Sequence, residues 1–455
     1  MMQNITLLDY AILPFVLAFV YAIAIRYRNK HYHSGHPYRS YFIPAFTVKI
    51  CGALFIGLIY EYYYGGGGDT MGYFHHAKII NSSLNDSVIK WINLILHIPN
   101  QTTIGYYNYI SQMIWYGSDT SATSTYSAAS ITALLSLFTG NTYLPTAVLF
   151  AALSFTGVWA LFRTFANIYP LFIKPIAIAT LFIPSVAVWG SGIFKDTICI
   201  FGLGWLTFGV FQMLIQRNFK LTNIILTTIS LVLVARVKMY ILLAFTPALL
   251  FWVLSVYTDQ MKNKAGKFLL KLTVFTIAII GSYYTMTFLG EDSLGRYSLD
   301  NIEETAMRTR NWITYSTGDE GSTYDLGQMN GVADMFIKFP LAVNVTLFRP
   351  YLWEGKKVII LIAAIESALF LFLTIKLLFV VGIKRIFRTI ASDPTLQFCL
   401  IFVLIFAFAV GVSTGNFGTL SRYKIPCTPF YAIFLGIMYQ KNNLRFLKST
   451  GKRFI

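Results

Sequence analysis

A chain of 455 residues that is 56% hydrophobic and 12% charged, with a mean hydropathy of +0.60, lies far from soluble composition, because soluble domains carry about 25% charged residues. Its formal net charge of +17 does not point to nucleic acid: the basic residues stand in short clusters between apolar runs, as membrane orientation signals do. Four cysteines, Cys51, Cys199, Cys399 and Cys427, lie in or beside apolar runs with no CxxC or Cys/His spacing, so no zinc site or redox pair is indicated.

At about 20 apolar residues per bilayer crossing, the pattern predicts an all-α polytopic protein, a single integral-membrane domain over 1–455. Spans are expected near 7–25, 43–61, 142–162, 173–190, 197–215, 223–236, 239–257, 268–289, 358–380, 397–414 and 425–440, eleven in all. The first has no positive charge before it and no small-residue cleavage site after it, so it reads as a retained anchor. The stretch 126–139 reads as a twelfth span or a surface helix. Alternate loops hold the basic clusters, among them Arg26, Arg28 and Lys30, then Lys384, Arg385 and Arg388, and the C-terminal tail. The positive-inside rule makes that face cytoplasmic, with the N-terminus outside and the C-terminus inside; in a bacterial-type cell the membrane is the inner one. The two long non-membrane stretches, 62–141 and 290–357, then form large outer loops. Within the first, "VIKWINLILHI" (88–98) reads as a helix lying on the membrane interface.

Ionisable groups near a bilayer cost about 2.5–3.5 kcal/mol at its centre, so those retained point to function. Five places on the outer side stand out in chain order. After Gly65–Gly68, Asp69 with Thr70 reads either as the cap of a helix over "MGYFHHAKII" or as a general base or metal ligand. Lys195 and Asp196 in "PSVAVWGSGIFKDTI" read as a hairpin turn or as part of a site. Arg236 and Lys238 in "VARVKMY" oppose the charge rule; they snorkel or they hold a phosphate, for which arginine supplies a planar fork. Arg349 and Glu354 in "LFRPYLWEGKK" are close enough in sequence to pair, and Glu366, inside the next span, requires a cationic partner. Arg422 and Lys424 in "GVSTGNFGTLSRYKIPCTPF" read as lipid-headgroup anchors or as grips on an anionic substrate. His75 and His76 point about 100° apart on a helix and do not easily share one ion. No nucleophile elbow, HExxH helix, Walker loop or GxGxxG motif is present.

An acid in the first large outer loop of a multi-span chain, here Asp69 in "GGGGDTMGYF", resembles the GT-C class of glycosyltransferases. The segments "PSVAVWGSGIFKD", "LFRPYLWE" and "NFGTLSRYKIPCTPF" resemble parts of bacterial membrane proteins of surface-polysaccharide assembly. The resemblance implies a polyprenyl-phosphate-linked sugar donor, a glycan or lipid acceptor, and Asp69 as catalytic base. It departs in an extra span before the usual first one and in lacking a DxD motif, which leaves a divalent metal unassigned. A polymerase joining lipid-linked glycans shares the same pattern of outer arginines. A transporter or lipid flippase without chemistry is the alternative class. On the transfer reading, Arg236, Lys238, Arg349, Arg422 and Lys424 grip the donor phosphate, and Asp69 and Arg422 are expected to share one cavity.

Overall fold

A computed structural model describes residues 4–98, 123–258, 323–327, 332–355 and 358–450, with isolated positions between these stretches. Among the described residues the chain is helical, without strands. In order come α1 (Leu7–His31), α2 (Arg39–Leu58), α3 (Asp69–Ser82), α4 (Val88–Leu96), α5 (Thr123–Leu137) and α6 (Tyr143–Ile168). Then follow α7 (Ile173–Leu181), α8 (Pro184–Trp189), α9 (Lys195–Val210), α10 (Leu221–Thr258), α11 (Val332–Ile337) and α12 (Phe339–Phe348). The last are α13 (Val358–Val381), α14 (Ile383–Ala391), α15 (Pro394–Ser413), α16 (Phe417–Tyr423) and α17 (Thr428–Thr450).

Among the described residues seven helical stretches are long and apolar enough to cross a membrane: Leu7–His31, Arg39–Tyr63, Tyr143–Ile168, Lys195–Ile215, Leu221–Thr258, Ile360–Val381 and Pro394–Ser413. The run 173–190 is not one helix. It stops at Leu181 and restarts at Pro184, because a residue before proline disfavours helical backbone. The expected pair 223–236 and 239–257 lies within α10, whose 38 residues would make about 57 Å of straight helix. Backbone at Lys238 leaves the helical region (φ −150°, ψ 76°), so 221–237 and 239–258 are each about one bilayer long. The run 268–289 falls mostly outside the described residues, as does most of 290–357. Of the stretch 126–139, all but the last two residues lie in α5, which packs along α3 with Ala129 and Ala133 buried.

The chain divides into two compact units, the first made of 1–164, 186–209 and 220–239, the second of 165–185, 210–219 and 240–455. In the first, α3, α4 and α5 enclose Ala77, Ile80, Leu94, Tyr126 and Ala129. Asn81 pins them together: its Nδ2 donates to Ala133 O, Ser136 Oγ and Asn141 Oδ1, and its Oδ1 accepts from Trp91 Nε1. The opposite edge of α4 leaves Val88, Ile89 and Leu96 exposed. Helices α6 and α9 meet backbone to backbone at Gly157 and Gly204, where any Cβ would lie within 2.5 Å of main-chain atoms, a small-residue contact typical of membrane helices. In the second unit Phe245, Phe398, Phe402, Phe406 and Phe430 interlock through aromatic contacts, and Trp252 stacks on Phe398 at 4.7 Å.

Candidate functional site

The four-glycine loop is a tied turn. After α2 the chain makes a wide turn over Ile59–Tyr63, and Glu61 there accepts Asn4 N at 2.9 Å and Asn4 Nδ2 at 3.1 Å. Gly68 adopts φ +85°, and a Cβ on it would strike Tyr60 Cε1 at 2.5 Å. Gly68 is the N-cap of α3 and Asp69 lies inside the first turn. The helix thus starts earlier than the pattern suggested, and Asp69 complements its positive end rather than capping it. Its side chain is half-buried, whereas Thr70 is buried with its hydroxyl 2.6 Å from that of Tyr143.

One turn along α3 from Asp69 stands Tyr73, and 5.9 Å from its ring centroid lies the ammonium of Lys195. Lys195 opens α9 and donates to Thr125 Oγ1 at 2.6 Å. Its neighbour Asp196 is fully buried and pairs with the Lys238 ammonium at the break in α10. Beside that break, Ser124 Oγ donates to Val237 O at 2.5 Å. His97, the left-handed C-cap of α4, stacks on Tyr126 at 3.9 Å. Burial first, then the charge of Arg236, lowers the His97 pKa. Arg236 itself is exposed.

The first turn of α5 is therefore a hub: Ser124 reaches α10, Thr125 reaches Lys195, and Tyr126 reaches His97 and donates to Leu94 O at 2.8 Å. Around it gather Lys195, Arg236 and the Lys238–Asp196 pair, with the α3 face of Asp69 and Tyr73 alongside. Asp196 pairs with Lys238, and Lys195 and Arg236 are the further cations at this hub. Such a basin suits a phosphate, with a carboxylate on the adjoining helix for proton transfer.

In the second unit, Arg349 and Glu354 do pair: the guanidinium Nε lies 3.1 Å from both carboxylate oxygens and Nη2 binds Oε1. Tyr324, Tyr351 and Phe417 present their rings to the same guanidinium. Glu366 is buried, and its direct partner is Ser185, through Ser185 N at 2.9 Å and Oγ at 2.7 Å. Among the described residues no ion pair joins Glu366 to a cation, and the charge it faces across space is that of Lys424. Lys424 is itself buried and donates to Ser367 Oγ at 2.8 Å and to Arg349 O at 3.4 Å. It locks α13 to the 349 segment and faces no solvent. Arg422 is half-buried on α16, whose N-cap Asn416 accepts from Gly418 N and Thr419 N. Asp69 belongs to the first unit and Arg422 to the second.

Lys49 and Asp9 are among the buried charges that the sequence pattern does not single out. Lys49, within the second span, is fully buried and donates to Gly190 O, which also accepts from Ser154 Oγ at 2.9 Å; a single lysine in an apolar run was signal enough. Asp9 accepts Leu144 N at 2.8 Å at the start of α6, a contact spanning too much sequence to foresee. The rings of His75 and His76 lie with centroids 6.0 Å apart and planes inclined at 56°. Among the described residues no three His, Cys, Asp or Glu side chains gather as metal ligands. No family model, curated protein or solved structure matches the chain.

Proposed function

We propose that this chain is a glycosyltransferase that moves a sugar from a polyprenyl-phosphate-linked donor to a glycan or lipid-linked acceptor at the outer face of a bacterial cytoplasmic membrane. The observation that carries the reading is the gathering of Lys195 and Arg236 at the first turn of α5, beside the helix that bears Asp69. The finer topology belongs to the same proposal: eleven spans, the N-terminus outside and the C-terminus cytoplasmic.

In this mechanism Asp69 takes the proton of the attacking hydroxyl, whose oxygen bonds to the anomeric carbon. The bond from that carbon to the phosphate oxygen breaks, its electron pair leaves with the phosphate, and one displacement inverts the centre. Lys195 and Arg236 stabilise the departing charge, most strongly in the transition state. Lys238 and Asp196 set the framework by holding α10 to α9. Arg349, Glu354 and Lys424, tied to one another and to Ser367, are framework in the second unit rather than donor contacts.

The test is Asp69→Asn in a strain lacking the native gene, read by analysis of glycans and lipid-linked sugars. Transfer should be abolished while the variant remains folded and inserted; an active variant would overturn the assignment. In the deletion strain, shortened glycans support a transferase. Loss of chain length alone would replace it with a polymerase, and unchanged glycans with altered lipid-linked pools would point to transport.

A further inference from the structure

Helix α14 carries a feature that the transfer reading does not use. Spaced at 100° per residue, its side chains fall into three sectors. Ile386 and Thr389 face the protein and are buried. Ile383 and Phe387, 62% and 68% exposed, form a second, apolar sector. Lys384, Arg385 and Arg388 form the third, and all are exposed. A water-facing helix would not combine an open apolar sector with a cationic one; a helix lying at a membrane surface does.

Covalent geometry places it there. α14 begins after a single hinge residue, Gly382 (φ +80°), that follows the apolar Ile360–Val381, and it ends just before Pro394–Ser413. At the hinge a cleft of about 590 Å³ is lined by Val380, Gly382, Lys384, Arg385 and Arg388. The nearest acid in sequence, Asp393, is already engaged: it accepts from the Tyr169 hydroxyl at 2.8 and 2.7 Å, from Thr395 N and Leu396 N, and pairs with Lys441. The ion pairs formed among the described residues all lie elsewhere, so among those residues the three cations of α14 have no paired counter-charge.

We infer that α14 and the Gly382 cleft bind an anionic phospholipid of the surrounding leaflet, with Lys384, Arg385 and Arg388 around its phosphate and Ile383 and Phe387 against its acyl chains. The ends of two spans set the cleft at headgroup depth, where the available anions are lipid phosphates.

The test uses the full-length protein in nanodiscs of phosphatidylcholine, alone or mixed with phosphatidylglycerol, with retained lipid counted by native mass spectrometry. The wild type should retain phosphatidylglycerol selectively. The Lys384→Gln/Arg385→Gln/Arg388→Gln variant should bind it about a hundredfold more weakly, at roughly fivefold per cation. Arg388→Gln alone, about fivefold weaker, carries the test should the triple variant not fold. A control, Arg26→Gln/Arg28→Gln/Lys30→Gln, removes equal charge elsewhere and should keep the selectivity. Equal loss in both triple variants would reduce the site to diffuse attraction and overturn it. Inorganic phosphate that stabilises the protein in phosphatidylcholine discs as well as phosphatidylglycerol does would overturn the lipid assignment.

Discussion

Replacing Lys238 by methionine removes the ammonium that meets Asp196 at the break in α10 and keeps a side chain of similar length. The side chains are 7% and 0% exposed, so water cannot take over the carboxylate. Deleting one partner of such a pair costs about 3–5 kcal/mol, or roughly two to three and a half decades in the folded-to-unfolded ratio. Asp196→Asn/Lys238→Met removes both charges and should recover most of that loss, because neutral replacement of a buried pair is often tolerated. The assay is thermal unfolding of the purified protein in detergent, followed by tryptophan fluorescence, for all four corners of the cycle. A coupling of about 2 kcal/mol or more is expected, with little change between low and high salt, since a buried pair is poorly screened. A single-variant cost below about 1 kcal/mol, the range of an exposed pair, would refute the reasoning. So would additive losses in the double variant.

Gly68→Ala should destabilise the protein by about 1–3 kcal/mol, the strain of a backbone region nearly exclusive to glycine, and displace Tyr60. Gly67→Ala, whose Cβ would find nothing nearer than 3.8 Å, is the tolerated control; equal melting temperatures for the two would count against a tied turn. Burial, helped by the charge of His75, lowers the His76 pKa from 6.5 to about 4. Between those values the unfolded chain binds more protons than the folded one, so stability present above pH 6.5 is lost as pH falls through the window. His76→Gln should flatten that fall in melting temperature, and an unchanged slope would exclude His76 as its source. Ser185→Ala takes the hydroxyl from Glu366 and should cost about 1–3 kcal/mol, with Ser185→Thr restoring much of it; a neutral Ser185→Ala would mean the backbone N–H suffices.

What the residues alone determined is the class of molecule and the neighbourhoods where charge persists. Long apolar runs force helices, because a bilayer leaves backbone groups no partner but their own chain. Short-range pairing was legible too: Arg349 and Glu354 are five positions apart, and one loop holds both. The polar pair around 236–238 marked where one long helix breaks, whereas Pro184 divides a run that reads as one span. The partners of the long-range groups were not legible. Asp196 meets Lys238 across 42 positions and Glu366 meets Ser185 across 181, and Tyr73, one turn from Asp69, met Lys195 only when α3, α5 and α9 came together. Such meetings depend on how each helix is rotated about its axis. In a soluble helix the polar stripe reveals that rotation, but a helix apolar all round carries no stripe, since lipid and protein interior are equally apolar. Tertiary packing alone decides which side of each span faces its neighbours, and so which charges meet.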